Sequence, residues 1–589
     1  MFKLLKNLTK LDILLFVVVV AGICFQVWLD LKLPDYMSEI TRLVQTEGSD
    51  FMDIIKNGAL MMGCAFGSLL GAFLVGYLTA NISANFSKNI RKTLFTKVEN
   101  LSMAEIKNFS VASLITRTTN DITQVQMFVA MGMQMLIKAP ITAVWAITKI
   151  LNKSWEWSTA TAVTVVLLLS IVVFIMALVI PRFKLIQKLT DRLNDVTREN
   201  LTGIRVVRAF NAEKYEEAKF KKANDNLTDT QIFTQRALSS LGPIIFFFMH
   251  SITVVIYVIG TYLISDADQM NKLTIFSNMV VFSSYAMQVI MSFLMLAFTF
   301  MMIPRAQVSA ARINEVLDTK LTIKEGTKDV AKTAESGTVE FKNVSFKYPD
   351  AEEYLLENIS FKAEKGQTVA FIGSTGSGKS TLVNLIPRFY DATEGEVLVD
   401  GVNVKDYKFE SLYNRLGYVP QKAVMFSGTV SSNVSFGDNG KGKITAKTIA
   451  DAIKIAQGED FVKKLDKSYL AHIASGGTNI SGGQKQRLAI ARAIARDPEI
   501  YIFDDSFSAL DYKTDAKLRS ALKQYTKNAT SLIVAQRIGT IMNADQILVL
   551  DQGKCVGQGT HKELLKSCAV YRQIAESQLA PEELEKGGK

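Results

Sequence analysis

The sequence predicts a two-part membrane protein: six apolar helices with long polar extensions, joined to an α/β domain built on a phosphate-binding loop. Three observations carry this. The first 304 of the 589 residues hold six long apolar segments, and the rest has the composition of an ordinary soluble domain. The stretch Gly373 to Thr381 reads GSTGSGKST and fits the pattern G-x-x-x-x-G-K-[ST]. It follows a β-like run, Thr368 to Ile372, and precedes a helical pattern through Leu382, Val383, Leu385 and Ile386.

The chain is 48% hydrophobic and carries a net charge of +11. Much of the Lys and Arg flanks the apolar segments, so the charge reads as membrane topology and not as a nucleic-acid surface. Cys24, Cys64, Cys555 and Cys568 have neither metal nor disulfide spacing, which suits a reducing compartment. The first apolar stretch lacks a small-residue cleavage site and fits a retained span.

Residues 1–10 interleave Lys3, Lys6 and Lys10 with Phe2, Leu4, Leu5 and Leu8. This is either a short interfacial helix or a charged flank. A span needs about 20 apolar residues. The candidates are about 12–31, 57–80, 124–148, 158–180, 238–264 and 275–303, together a transmembrane domain over 1–304. The third carries Lys138 beside Pro140. An intramembrane lysine serves a substrate, snorkels, or faces the bundle interior. His250, in the fifth span, reads as a hydrogen-bonded packing residue. With the N-terminus inside, the inner segments carry 21 Lys/Arg and the outer segments 6, which places both termini in the cytosol. The inner segments 81–126 and 181–239 keep helical periodicity, so the membrane helices are expected to extend into the cytosol. Residues 305–337 form a linker, with Ala310 to Asp318 helical. The soluble domain covers 338–577 and a polar tail 578–589.

In the Gly-rich loop, the absence of Cβ atoms lets backbone N–H groups converge on phosphate oxygens. The helix that follows presents its positive end to them. Lys379 is placed to reach the β- and γ-phosphates and Ser380 to ligate Mg²⁺. The loop residues Gly373, Ser374, Thr375, Gly376, Ser377, Gly378, Lys379, Ser380 and Thr381 are thus the nucleotide-binding candidates. Ile500 to Phe503 is an apolar run ending in Asp504; a buried parallel strand would deliver that carboxylate to the Mg²⁺ side. Ser481, Gly482, Gly483 and Gln484 open a second helix and make a second anion nest. Two nests are not needed for one triphosphate in one chain unless two copies meet.

IGSTGSGKST, Gln421 in YVPQ, NISGGQKQRLAIARA, YIFDD and the SALD of Ser508 to Asp511 follow one another in the order of an ABC-transporter ATPase. With six preceding spans, the chain resembles a half-size ABC exporter of the multidrug type, in the architecture called type I, and the resemblance covers nearly all of it. It implies ATP and Mg²⁺ as cofactors. It implies that Tyr348 stacks on adenine and that Ser380, Gln421 and Asp504 surround the metal. It also implies a head-to-tail pair of ATPase domains, in which Ser481 to Gln484 and Asp511 meet the ATP on the other chain's loop. The stretches SLITRTTND (113–121) and RENLTGIRVVRAFNAEKYE (198–216) are also similar to the family's cytosolic bends.

Two positions depart from the family. Asp505 stands where the family has a catalytic Glu, and Gln536 where it has a switch His. Aspartate is one methylene shorter, so its carboxylate falls back by about 1–1.5 Å, and a misplacement of about 1 Å can cost about a hundredfold in rate. Gln536 donates hydrogen bonds but does not titrate near neutral pH. The pattern is similar to the degenerate-site subunit of heterodimeric bacterial multidrug exporters. The expectation is an ATPase-coupled translocase in the plasma membrane that moves amphipathic drugs or lipid-like compounds outward. A partner half-transporter would carry the catalytic Glu and His. An ATP-gated channel, a regulatory subunit, or a lipid or peptide exporter are the alternatives.

Overall fold

The computed structural model describes residues 3–46, 48–151, 154–329 and 336–579. The connector at 330–335 and the tail from 580 lie outside these, as do Phe2 and Lys153. The chain falls into two compact units. One comprises Met1–Glu99 and Val111–Thr319, the other Asn100–Ser110 and Lys320–Lys589.

The first unit is helical. In chain order it holds α1 (Lys10–Gln45) and α2 (Phe51–Glu99); α3 (Met103–Asn108) follows in sequence but groups with the second unit. The unit resumes with α4 (Val111–Thr116), a π-turn at Arg117–Asp121, α5 (Ile122–Leu151), α6 (Trp155–Thr202), α7 (Ile204–Ala209), α8 (Glu213–Ser239), α9 (Leu241–Ser265) and α10 (Gln269–Asp318). Among the described residues, six helical stretches are long and apolar enough to cross a membrane, and each expected span lies within one of them. Several far exceed the membrane. The 49 residues of α2 reach about 73 Å at about 1.5 Å per residue, against a hydrocarbon core of about 30 Å. α10 runs unbroken past Pro304 to Asp318, so Ala310 to Asp318 continue the sixth span.

Val19, Ile23, Val27 and Leu31 recur at i, i+4 on α1 and are buried. They join Trp157, Phe282 and Tyr285 in one apolar core. Charges in this unit find partners. Lys138 Nζ lies 3.3 Å from Asp30, whose other oxygen accepts from Ser68 Oγ at 2.5 Å. Lys149 pairs with Asp35 at 2.6 Å, and the Tyr285 hydroxyl donates to the same carboxylate. An unpaired charge within an apolar span is costly, which accounts for the pairing of Lys138 with Asp30. The π-turn carries buried Arg117 and Asp121: Arg117 donates to the Arg312 carbonyl at 2.8 Å, and Ser309 Oγ donates to Asp121 at 3.0 Å. The N-terminal stretch forms one 3-10 turn, Leu4–Asn7, whose Leu4 is fully buried and whose Asn7 carbonyl accepts from Asn89 of α2. Packing on α2 therefore fixes this turn. His250 lies on a face of α9 that is exposed in the single chain.

The second unit is α/β. Its strands are β1 (Val339–Phe346), β2 (Leu356–Ala363), β3 (Thr368–Gly373), β4 (Glu394–Val399), β5 (Val402–Asn403), β6 (Leu416–Val419), β7 (Gly428–Thr429), β8 (His472–Ile473), β9 (Ile500–Asp504), β10 (Thr530–Val534), β11 (Gln546–Asp551) and β12 (Lys554–Gly559). Six form a sheet in the order β12-β11-β3-β10-β9-β6, parallel except for β12. An antiparallel sheet, β2-β1-β4-β5, packs beside it, and β7 and β8 pair separately. Phe371, Ile502 and Leu532 on the three central strands are completely buried. That is why those strands read as continuous apolar runs and not as alternating ones. The C-terminal ends of β3, β9 and β10 lie side by side in register, and a parallel sheet presents its ligand crevice at that edge.

Candidate functional site

The site begins where β3 ends. Gly373 to Gly378 turn into α11 (Lys379–Asn384), with Gly378 at φ +90° as its N-cap. Two glycines are required by sterics. A Cβ on Gly373 would collide with the Leu550 carbonyl oxygen, and one on Gly378 would sit 2.6 Å from the Leu356 side chain. Lys379, 9% exposed, folds over its own loop. Its Nζ donates to the carbonyls of Gly373 at 2.9 Å and Ser374 at 2.6 Å, and to Ser377 Oγ at 3.2 Å. Burial pushes its pKa below the ordinary lysine range, and the charges of Asp505 and Asp504 oppose that shift.

β9 delivers Asp504, and the chain then turns sharply. Asp505 sits at φ +47°, the left-handed region, with its N–H held by the Val534 carbonyl at 3.1 Å. Ser380 Oγ donates to Asp504 at 2.6 Å. One oxygen of Asp505, Oδ2, receives two amides: Gln536 Nε2 at 2.7 Å and Gln421 Nε2 at 3.2 Å. Both carboxylates are buried. Burial pushes both pKa values above the ordinary aspartate range; the Ser380 bond opposes the shift at Asp504, and the two glutamines oppose it at Asp505. Two crowded carboxylates beside a serine hydroxyl form an all-oxygen donor set that suits Mg²⁺, and a divalent ion would offset the cost of holding them ionised. Ser380 and Asp504 are the residues that fit it, while Gln421 turns its amide nitrogen to Asp505. The glycine-lined loop, which a Cβ would fill, fits phosphate.

Tyr348 also comes to this edge. Its hydroxyl lies 2.9 Å from Thr381 Oγ1, and Phe346 and Tyr390 stand nearly perpendicular to its ring at centroid distances of 5.0 and 5.3 Å. The fold thus gathers Tyr348, the loop from Gly373 to Thr381, Gln421, Asp504, Asp505 and Gln536 into one site.

The other sequence candidates are not part of that cluster. Ser481 caps the helix Gly482–Ala495 in a closed box: its N–H donates to Gln484 Oε1 at 2.9 Å, and Gln484 N–H returns to Ser481 Oγ at 3.3 Å. Asp511 caps the helix Tyr512–Tyr525 through Thr514 N–H at 3.0 Å, and that bond holds its carboxyl below the ordinary range. Ser481, Gly482 and Asp511 are exposed. Among the described residues, none of the recorded hydrogen bonds links them to the Gly373–Thr381 loop.

Two contributors escaped the sequence reading. Gln578 clamps the switch segment: its Nε2 donates to the Gln536 carbonyl at 2.9 Å, and its Oε1 accepts from Ile538 N–H at 2.8 Å. Lys107, on α3, lies with its ammonium 5.1 Å from the Tyr348 ring centroid. No motif marks either residue, because each acts only through a long-range contact.

Residues 13–293 match the family model "ABC transporter transmembrane region", and residues 356–508 match "ABC transporter". An uncharacterised ABC transporter ATP-binding protein of Mycobacterium tuberculosis is 38% identical over 93% of each chain. An ATP-dependent lipid A-core flippase of Pseudomonas fluorescens is 33% identical over 82% of this chain and 79% of its own. The solved structure of a bacterial Atm1-family ABC exporter with ATP bound shares the fold, with a TM-score of 0.77 over 98% of this chain and 99% of that one at 24% identity. On this evidence the chain belongs to the ABC transporter family, as a multi-pass, half-size, ATP-driven exporter with a transmembrane region fused to an ATP-hydrolysing domain.

Proposed function

We propose that this chain is the degenerate-site half of a heterodimeric exporter for amphipathic, lipid-like compounds. Its own loop, with Tyr348, Lys379, Ser380, Gln421 and Asp504, binds Mg·ATP and hydrolyses it slowly. Its Ser481 to Gln484 and Asp511 complete a faster site on the loop of a dissimilar partner, which carries the catalytic Glu and the switch His. The ATPase domain and both termini lie on the cytosolic side of the plasma membrane.

The observation that carries this reading is the bonding of Asp505. A shortened carboxylate gives one oxygen to two amides at 2.7 and 3.2 Å, and neither amide accepts a proton near neutral pH. A general base needs an oxygen poised toward water and a neighbour that tunes it. Two relatives are lipid A-core flippases, which favours a lipid-like cargo over a peptide. The test is purification of the chain alone and with the half-transporter that co-purifies with it. ATP turnover and lipid or dye accumulation in inside-out vesicles are expected only from the mixed complex. Brisk turnover by like-with-like complexes would exclude the proposal.

A further inference from the structure

α3 lies in the first long cytosolic stretch, bracketed in sequence by α2 and α4, yet it groups with the ATPase domain. Its anchor is Glu105, which is 3% exposed. That carboxylate accepts from Ser102 N–H at 2.6 Å, closing the helix's own cap, and from Thr322 N–H at 2.9 Å. Two residues along, the helix presents Lys107. Its Nζ bonds both oxygens of Asp350, at 3.0 and 3.4 Å, and stands over the Tyr348 ring. Asp350 is two residues beyond Tyr348, so the lysine grips the loop and the ring together.

We infer that Lys107 is a positioning residue for the nucleobase: its ammonium holds the Tyr348 ring from one face, and the base stacks on the face left open. This rests on the reading of Tyr348 as the adenine platform. The ring is otherwise tethered by its hydroxyl to Thr381, next to the proposed metal ligand Ser380. A half-buried ring on a loop keeps rotational freedom, and a cation within about 6 Å of the centroid restricts it while remaining compatible with stacking. The Asp350 bond keeps the Lys107 ammonium above its ordinary range, so the charge is present at neutral pH. Both side chains are largely exposed, 57% and 67%, so the effect is modest.

The experiment uses the full transporter in membranes. Radiolabelled 8-azido-ATP is photo-crosslinked, this chain is resolved from its partner on a gel, and label is competed with ATP or with inorganic tripolyphosphate, which has no base. The ratio of the two half-competing concentrations reports the contribution of the base. Lys107→Gln is expected to lower that ratio by about two- to fivefold, with tripolyphosphate competition unchanged, and Lys107→Arg is expected to keep it near wild type. An unchanged ratio in Lys107→Gln overturns the inference, as does an equal loss in Lys107→Arg. Tyr348→Ala separates the two levels: it is expected to abolish most of the preference for ATP, and if it does not, the platform reading fails and takes the Lys107 role with it.

Discussion

Replacing Asp505 by Glu restores the family's residue, and the structure predicts that the restoration brings little. Repairing a misplacement of about 1 Å is worth at most about a hundredfold in rate, or about 2.7 kcal/mol. To advance, the longer side chain must leave the 2.7 Å bond from Gln536 and the 3.2 Å bond from Gln421, which now hold one oxygen in place. A hydrogen bond to a charged group contributes about 1.5–3 kcal/mol. Breaking one of them offsets more than half of the gain, and the expected net increase in turnover is less than about tenfold. Asp505→Glu combined with Gln536→His removes the shorter of the two competing amide bonds and supplies a titratable ring, so the pair should exceed the product of the single changes. The assay is single-turnover hydrolysis of labelled ATP in the mixed complex, with the partner's catalytic carboxylate removed so that only this chain's site contributes. A hundredfold rise from Asp505→Glu alone would refute the argument, because it would mean that length and not bonding limits the site.

Two further outcomes follow from the same geometry. Burial raises the pKa values of Asp504 and Asp505, so their contribution to folding is fully present below the ordinary aspartate pKa and is lost as pH rises through the raised values. Ionising the two carboxylates carries a burial cost that Mg²⁺ would relieve. The gain in Tm from Mg·ATP over ATP with EDTA should therefore be largest near neutral pH and shrink toward acid; a gain independent of pH speaks against these residues holding the metal. Ser481→Ala removes the capping oxygen that Gln484 N–H uses and, by the proposal, a donor to the partner's ATP. Transport should fall on the order of tenfold or more, while azido-ATP labelling of this chain stays intact. If Asp505→Asn proves the more damaging change, the two sites are assigned the wrong way round.

How much of the site could be read in the sequence depended on distance along the chain. The phosphate loop is legible because strand, glycines and helix are contiguous. Asp504 is legible because a buried parallel strand has no alternation and ends in a charge. Lys138 is visible as an anomaly, but its partner Asp30 lies more than a hundred residues away on another helix. Lys107 and Gln578 carry no signal, since a lysine in a polar loop and a glutamine in a terminal helix are ordinary residues until the fold brings them to Tyr348 and Gln536.

Composition and local pattern determined that this chain spans a membrane six times, that an ATPase domain follows, and which residues form the phosphate loop. Those properties depend on solvent preference and short-range geometry, which neighbouring residues set among themselves. Tertiary structure alone decided that both amides, Gln421 and Gln536, converge on one oxygen of Asp505. It also decided that the short helix between α2 and α4 groups with the ATPase domain. The physical reason is that hydrogen bonds and ion pairs act only within a few ångströms, and only a folded chain brings residues from distant parts of the sequence that close.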